Sequence, residues 1–128
     1  MISHLTLGTN DLAQATQYYD QVFAIIGARL VASTDSVVFY AFPDSPTKLA
    51  ITKPFNGEKA TFGNGTMLAL RVASEDKVKE LYKLAMQLNS KCEGEPAPRD
   101  NRAYFAAYFR DLDGNKIAVF HRSEGENA

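Results

Sequence analysis

The stretch HLTLGT, residues 4–9, returns in outline 63 residues later as MLALRV, residues 67–72. Both are short runs of the kind that forms a strand. A helix start and a helical apolar stripe follow each of them, and further strand-like runs come after each helix. The chain is therefore predicted to be a duplication of one strand–helix–strand–strand–strand unit.

The first unit, residues 1–53, carries clear signals at both ends of its helix. Asn10 or Asp11 can cap the helix, and Gln14 is placed to complete a capping box with Asp11. Gly27 follows the apolar stripe and can adopt the left-handed conformation that ends a helix. The sequence predicts these elements for the unit: strand 2–9, helix 12–26, and strands 28–32, 36–42 and 48–52, the last two joined around residues 43–46.

The second unit, residues 66–122, repeats this order after a linker, residues 54–65, that is rich in turn-forming residues. Ser74 is the expected helix cap. The polar, proline-containing stretch 93–100 is predicted as a loop, with the lone Cys92 beside it. The sequence predicts these elements for the unit: strand 66–72, a helix after Ser74, strands 102–110 and 116–121, and a polar tail, residues 123–128.

The amino-acid composition is typical of an ordinary globular domain. Hydrophobic residues make up 45% of the 128 and charged residues 23%, as in ordinary globular domains. A formal net charge of −1 gives no reason to expect nucleic acid or an anionic membrane as a partner. The N-terminus has no signal-peptide pattern, so a single cytoplasmic domain is expected. A single cysteine excludes an internal disulfide and a multi-cysteine metal site.

Taken in order and at this spacing, these pieces resemble the glyoxalase / bleomycin-resistance / extradiol-dioxygenase superfamily, also called the vicinal oxygen chelate proteins. The matching motifs are His4–Leu7 with Asn10–Leu12, the pair Tyr18–Tyr19, the stretch GNGTMLALRV at 63–72, and DLDGNKI at 111–117. The resemblance implies an α+β fold of two βαβββ units, whose curved mixed sheets surround a central cavity. It also implies a homodimer, because family members commonly pair two chains.

Metal-using members of that family bind a divalent ion through the first and last strands of each unit. The matching positions here are His4, Ala50, Met67 and Ala118. Alanine has no donor atom, and the methionine thioether is a soft ligand. No cofactor is therefore predicted, since only His4 could coordinate. A divalent metal would need a further ligand from this set: His121, Glu93, Glu95 or Asp100.

Strand alternation predicts which side chains line the pocket. A three-residue loop, 112–114, would pair Tyr108 with Ala118 and put Tyr104, Ala106 and Tyr108 on the pocket face, whereas a two-residue turn would put Phe105 and Phe109 there. The 68-residue repeat matches Tyr40 to Tyr108. The predicted ligand-binding residues are Tyr40, Met67, Arg71, Arg102, Tyr104 and Tyr108.

Three functions remain open. The favoured hypothesis is a metal-independent protein that binds a small anionic or aromatic molecule, which arginines could grip through a carboxylate or phosphate. The alternative is a glyoxalase-like lyase or dioxygenase-related enzyme. In that case His4 would be the metal ligand or the general base, and Arg71, Arg99, Arg102 and tyrosine hydroxyls would stabilise charge. The third is a scaffold whose pocket is filled by its own side chains.

Overall fold

The computed structural model describes residues 1–123, and residues 124–128 of the predicted tail lie outside the described part. The chain divides into two compact units, and the first of them is Met1–Asn64. No helix among residues 1–123 is long and apolar enough to cross a membrane. The elements are β1 (His4–Gly8), α1 (Leu12–Ala24), β2 (Arg29–Ser33), β3 (Val37–Phe42), β4 (Ser45–Thr52), β5 (Leu68–Arg71), α2 (Glu75–Gln87), β6 (Lys91–Arg99), β7 (Tyr104–Arg110) and β8 (Lys116–His121).

Each unit is built around an open, four-stranded mixed sheet. The strand order is β1-β4-β3-β2 in the first unit and β5-β8-β7-β6 in the second. The first and last strands of each unit pair in parallel, and the other pairs are antiparallel. This confirms the predicted α+β fold of two βαβββ units. The central cavity implied by the family resemblance stays a prediction.

Helix α1 begins and ends where the sequence signals lie. The side chain of Asp11 accepts a hydrogen bond from the backbone N–H of Gln14 at 2.9 Å, which satisfies one of the free donors of the first turn. Gly27 has φ +75, the left-handed conformation expected after a helix. The face of α1 that the sheet covers consists of Ala15, Tyr18, Tyr19, Val22 and Phe23.

Helix α2 of the second unit also begins at a capping side chain and buries one apolar face. Ser74 caps it by accepting a hydrogen bond from the N–H of Lys77 at 3.1 Å. Glu75 and Asp76 lie in the first turn, where the helix dipole favours negative charge. Its buried stripe is Val78, Leu81 and Ala85.

The predicted loop at residues 93–100 is wrong, because most of this stretch belongs to strand β6. As the outer strand of its sheet, β6 needs ladder hydrogen bonds on one side only and therefore tolerates Pro96 and Pro98. Two register shifts, one on either side of Gly94, interrupt its alternation and hide the strand pattern. Cys92 is exposed on this strand rather than in a loop.

The hairpin of β3 and β4 is one residue longer than the hairpin of β7 and β8. This difference decides which face of the sheet the aromatic residues of each hairpin reach. In the second unit the structure has the register of the three-residue loop, one of the two alternatives: Tyr108 pairs with Ala118, and the N–H of Asp111 donates to the carbonyl of Asn115 at 2.9 Å. In the first unit Ala50 pairs with Phe39. The structural counterpart of Tyr108 is therefore Phe39, and the match of Tyr40 to Tyr108 is wrong.

Candidate ligand-binding site

The sheet of the second unit packs one of its two faces against α2. Phe105 lies on the helix side, where the ammonium group of Lys79 from α2 is 5.6 Å from its ring centre. Alternation puts Tyr104, Ala106 and Tyr108 on the other side, and the pairing brings Ala118 and Phe120 to that side with them. We call this side the open face, and the sequence-based register predicted its tyrosines correctly.

Three cations surround the two tyrosines of the open face. The guanidinium of Arg99 lies 5.3 Å from the ring centre of Tyr108, and the ammonium of Lys116 lies 5.5 Å from the same ring. Arg122 lies 5.2 Å from the ring centre of Tyr104. These are cation–π distances. The five residues Arg99, Tyr104, Tyr108, Lys116 and Arg122 are called the tyrosine–cation cluster below.

Two backbone carbonyl groups hold the guanidinium of Arg99 in position. Its Nη2 donates to the carbonyl of Glu95 at 2.6 Å and, at a longer 3.4 Å, to that of Ala106. Gly94 leaves the space for this arrangement, since a Cβ there would come within 3.1 Å of both Arg99 Nη2 and Tyr108 Cδ2. A glycine at this position therefore lets the guanidinium lie against the tyrosine.

The cations of the cluster have spare hydrogen-bonding capacity. The Nε atoms of Arg99 and Arg122 are buried and have no hydrogen-bond partner among residues 1–123. In the same part of the chain no carboxylate forms an ion pair with Arg99, Lys116 or Arg122. Arg110, the cross-strand partner of Lys116, differs, because Glu93 pairs with it at 3.3 Å. Buried donors without partners are costly, so a bound acceptor would stabilise the cluster.

The hydroxyl oxygens of Tyr104 and Tyr108 lie 3.4 Å apart. This contact is the largest cause that raises the pKa of Tyr108, followed by burial, and both outweigh the opposing effect of Arg99. The phenol of Tyr108 therefore keeps its proton at neutral pH and can donate it to a ligand.

Tyr40, predicted to line the pocket, lies in the core of the first unit. It is 0% exposed, and its hydroxyl donates to the carboxylate of Asp20 at 2.8 Å on α1. Burial is the main cause that raises its pKa, and the hydrogen bond to Asp20 adds to this. Its side chain therefore fixes α1 to the sheet.

The remaining predicted ligand residues lie apart from the cluster contacts. Met67, 46% exposed, precedes β5, and Arg71 is exposed at the end of that strand. Arg102 lies in the turn before β7, with φ +69, rather than on the strand. Their roles in ligand binding stay predictions.

His4, the predicted catalytic residue, is exposed on β1. Its Nδ1 is 3.1 Å from the hydroxyl oxygen of Ser3, and its ring meets Phe39 edge-on at 5.3 Å. The contact with Phe39 puts His4 on the side of the first sheet that faces away from Tyr40 and α1. Its role as a general base stays a prediction.

The positions that correspond to the family's metal ligands do not fit a divalent metal. Ala50 and Ala118 offer only methyl groups, and a metal site normally needs at least three N, O or S donors from the protein. His121 cannot supply one on the open face, because the unbroken β7–β8 register puts it on the opposite side, where Nδ1 donates to the carbonyl of Val72 at 2.9 Å. Among residues 1–123, no three His, Cys, Asp or Glu side chains come together.

We predict that titration of the metal-free full-length chain with Zn²⁺, Ni²⁺, Mn²⁺ or Fe²⁺ will give no sub-micromolar binding, because the donor set is too small. Isothermal titration calorimetry measures this directly. Tight binding that disappears in His4→Ala but persists in His121→Ala would contradict the prediction and restore a metal site at the first strand.

The first unit carries two open clefts. They measure about 580 and 550 Å³ and share Asn10 and Lys53 in their walls. Neither contains a residue that the sequence predicted to bind a ligand. Their walls carry both signs of charge, with Asp11, Asp35 and Glu58 near Lys53 and Lys59.

Comparison with known proteins decides the family. Residues 1–119 match the family model of the Glyoxalase/Bleomycin resistance protein/Dioxygenase superfamily. The chain belongs to this superfamily. Among solved structures, a glyoxalase/bleomycin resistance protein from Albidiferax ferrireducens T118 is 32% identical, with a TM-score of 0.86, over 96% of this chain and 99% of that one.

More distant superfamily structures share the fold. Lactoylglutathione lyase from Agrobacterium tumefaciens is 19% identical with a TM-score of 0.69, over 94% of this chain and 92% of that one. The fosfomycin resistance protein FosX from Listeria monocytogenes is 18% identical with a TM-score of 0.73, over 97% and 94%. No curated protein matches the chain.

Proposed function

We propose that this superfamily member is a metal-independent small-molecule-binding protein whose ligand is anionic and binds at the tyrosine–cation cluster. One observation carries the proposal: three cations stack on two half-buried tyrosines of the open face, and no carboxylate among residues 1–123 pairs with them. Three cations around the same two rings, with no paired carboxylate among residues 1–123, favour a bound anion.

The hydrogen-bonding groups of the cluster suit an oxyanion. Arginine presents planar N–H donors that match carboxylate and phosphate, and the buried Nε of Arg122 has no hydrogen-bond partner within residues 1–123. Lys116 adds a compact charge beside Tyr108. A hydrogen bond to a charged group is worth about 1.5–3 kcal/mol, so the cluster can supply a measurable affinity by itself.

The aromatic rings of the open face suit an apolar body on the same ligand. Tyr104 and Phe120 meet edge-on with 6.3 Å between ring centres, and both are half-buried. Ligand sites typically combine such apolar walls with a few placed polar groups. An aromatic carboxylic acid therefore fits the site better than a bare inorganic ion.

The donor chemistry at the family's ligand positions supports metal independence. Two of the four positions are alanine, so binding energy must come from the protein's own cations and hydroxyls. The alternative of a lyase with His4 as its base stays a prediction, since no second acid or base group contacts the ring of His4 among residues 1–123 beyond Ser3. The homodimer also stays a prediction, which sedimentation of the full chain tests.

The test is a titration of chelator-treated protein with benzoate and with inorganic phosphate. We expect benzoate to bind, and Lys116→Gln and Arg122→Gln each to weaken binding about tenfold, since each removes one charged hydrogen-bond donor. Raising the salt concentration should weaken binding of the unmodified chain as well. The chain has 6 tyrosines and no tryptophan, so tyrosine fluorescence can follow the titration beside calorimetry.

Lys77→Gln is the matched control, because Lys77 lies on α2 in an exposed ion pair with Glu80 and away from the open face. It should leave binding unchanged. Equal affinities for the unmodified chain, Lys116→Gln and Arg122→Gln would contradict the proposal. A requirement for added metal would contradict its metal-independent part.

A further inference from the structure

We propose that the hydroxyl groups of Tyr104 and Tyr108 together form a two-donor receptor for one oxyanion group of the ligand. The inference deepens the proposed function and rests on it. It assigns the first contact with the anion to two neutral phenols, with Arg99, Lys116 and Arg122 as the surrounding positive charges.

The two hydroxyls converge although their residues are four apart on one strand. Residues four apart on a strand have Cα atoms about 13 Å apart, so two side chains that stand straight up would not bring their ends together. The oxygens of Tyr104 and Tyr108 nevertheless lie 3.4 Å apart, so the rings lean toward each other. Arg122 lies over one ring, and Arg99 and Lys116 lie over the other.

The contact between the two hydroxyls leaves at least one O–H group free to donate to a ligand. A good O–H···O hydrogen bond is about 2.7–2.8 Å long, so a separation of 3.4 Å is a weak contact. Each phenol has one proton, and the contact between the two uses at most one of them. At least one O–H is therefore free to donate, and an oxygen seated between the two hydroxyls would receive both.

The positive charges around the two tyrosine hydroxyls favour a negatively charged hydrogen-bond acceptor. Three cations stack on these rings, so a negatively charged oxygen is favoured over a neutral carbonyl or hydroxyl. The raised pKa of Tyr108 keeps its phenol protonated at neutral pH, so it donates to an anion rather than repelling it as a phenolate. A carboxylate and a phosphate share this chemistry.

Tyrosine-to-phenylalanine variants isolate the hydroxyls, because each keeps the ring on which the cation stacks. We expect Tyr104→Phe and Tyr108→Phe each to weaken oxyanion binding about tenfold, as expected for one hydrogen bond to a charged group. The double variant should lose binding further. The probes are benzoate and inorganic phosphate, titrated by calorimetry into full-length protein whose folding is checked by thermal unfolding.

Tyr82→Phe is the matched control. Tyr82 lies on α2, the helix that packs on the other side of this sheet, so its hydroxyl is away from the open face. Binding should be unchanged in this variant. A loss with benzoate alone in the two cluster variants identifies a carboxylate receptor, and a loss with phosphate alone identifies a phosphate receptor.

The inference and the proposed function fail in different ways. If Lys116→Gln and Arg122→Gln weaken binding while Tyr104→Phe and Tyr108→Phe do not, the hydroxyl receptor is wrong and the cation site stands. If neither probe binds to the unmodified chain, both are wrong. If Tyr82→Phe weakens binding as much as the cluster variants, the effect is not specific to the paired hydroxyls and the inference is overturned.

Discussion

Replacing Tyr40 by alanine will lower the free energy of unfolding by about 3–5 kcal/mol, the range for deleting a large aromatic side chain from a packed core. The ring is 0% exposed and meets Phe23 edge-on with 5.1 Å between ring centres. Its hydroxyl reaches Asp20 and the carbonyl of Thr16 on α1. Removing the side chain opens a cavity between helix and sheet and leaves these acceptors without their donor.

Urea denaturation of the variant and the unmodified chain measures this loss. Tyr40→Phe is the control that separates packing from hydrogen bonding, because it keeps the ring and removes only the hydroxyl, at a cost of about 1–2 kcal/mol. Neither variant should change benzoate affinity once folding is confirmed. Near-normal stability of Tyr40→Ala together with lost ligand binding would restore the sequence-based prediction that Tyr40 lines the pocket.

Tyr40 also gives the stability a dependence on high pH. Its pKa is raised above the ordinary 10.0 in the folded chain, so unfolding at alkaline pH lets the phenol ionise. The stabilising effect is fully present below about pH 10 and is lost as the pH rises further, since the unfolded state then releases the proton. Tyr40→Phe should flatten this part of the stability curve.

Asp111→Ala is expected to lower the free energy of unfolding by about 2–4 kcal/mol, because it leaves several buried donors unpaired. The carboxylate is 6% exposed. It accepts hydrogen bonds from the N–H groups of Asp113 and Asn115, both at 2.9 Å, and from the side-chain amide of Asn115 at 3.0 Å. These bonds fix the turn that sets the register of β7 and β8, and hence which tyrosines reach the open face.

Asp44→Ala supplies the comparison, since Asp44 is an exposed aspartate in the turn of the other hairpin. Its effect should stay within about 0.5 kcal/mol, as for most surface substitutions. Thermal and urea unfolding measure both variants. A loss below about 1 kcal/mol for Asp111→Ala would show that the turn holds its register without the carboxylate.

Part of the tyrosine–cation cluster could be predicted from the sequence. The three-residue loop put Tyr104 and Tyr108 on one face, and Arg99 was among the candidate groups for stabilising charge. Lys116 and Arg122 were missed, although alternation from Ala118 along β8 puts both on the same side as Tyr108. The signal that could have found them is the two-residue spacing that links Lys116 and Arg122 to Ala118.

Strand β6 and the register of the first hairpin could not be predicted from the sequence. The polar composition of β6 hides a strand, because an outer strand can be exposed and can contain proline, and register shifts break its period. The extra residue in the first hairpin likewise leaves no mark in the composition. A shift of one residue turns every side chain of a strand to the other face, so Tyr40 enters the core and Phe39 takes the position matched to Tyr108.

The sequence by itself determined the duplication, both helices with their caps, and the last strand of the second unit. These features depend on local signals: capping side chains, a left-handed glycine and the period of apolar residues. Only the tertiary structure decided which aromatic residues are core and which meet the cations. That choice depends on cross-strand register and on how closely Gly94 lets Arg99 approach Tyr108, contacts made between residues of different strands.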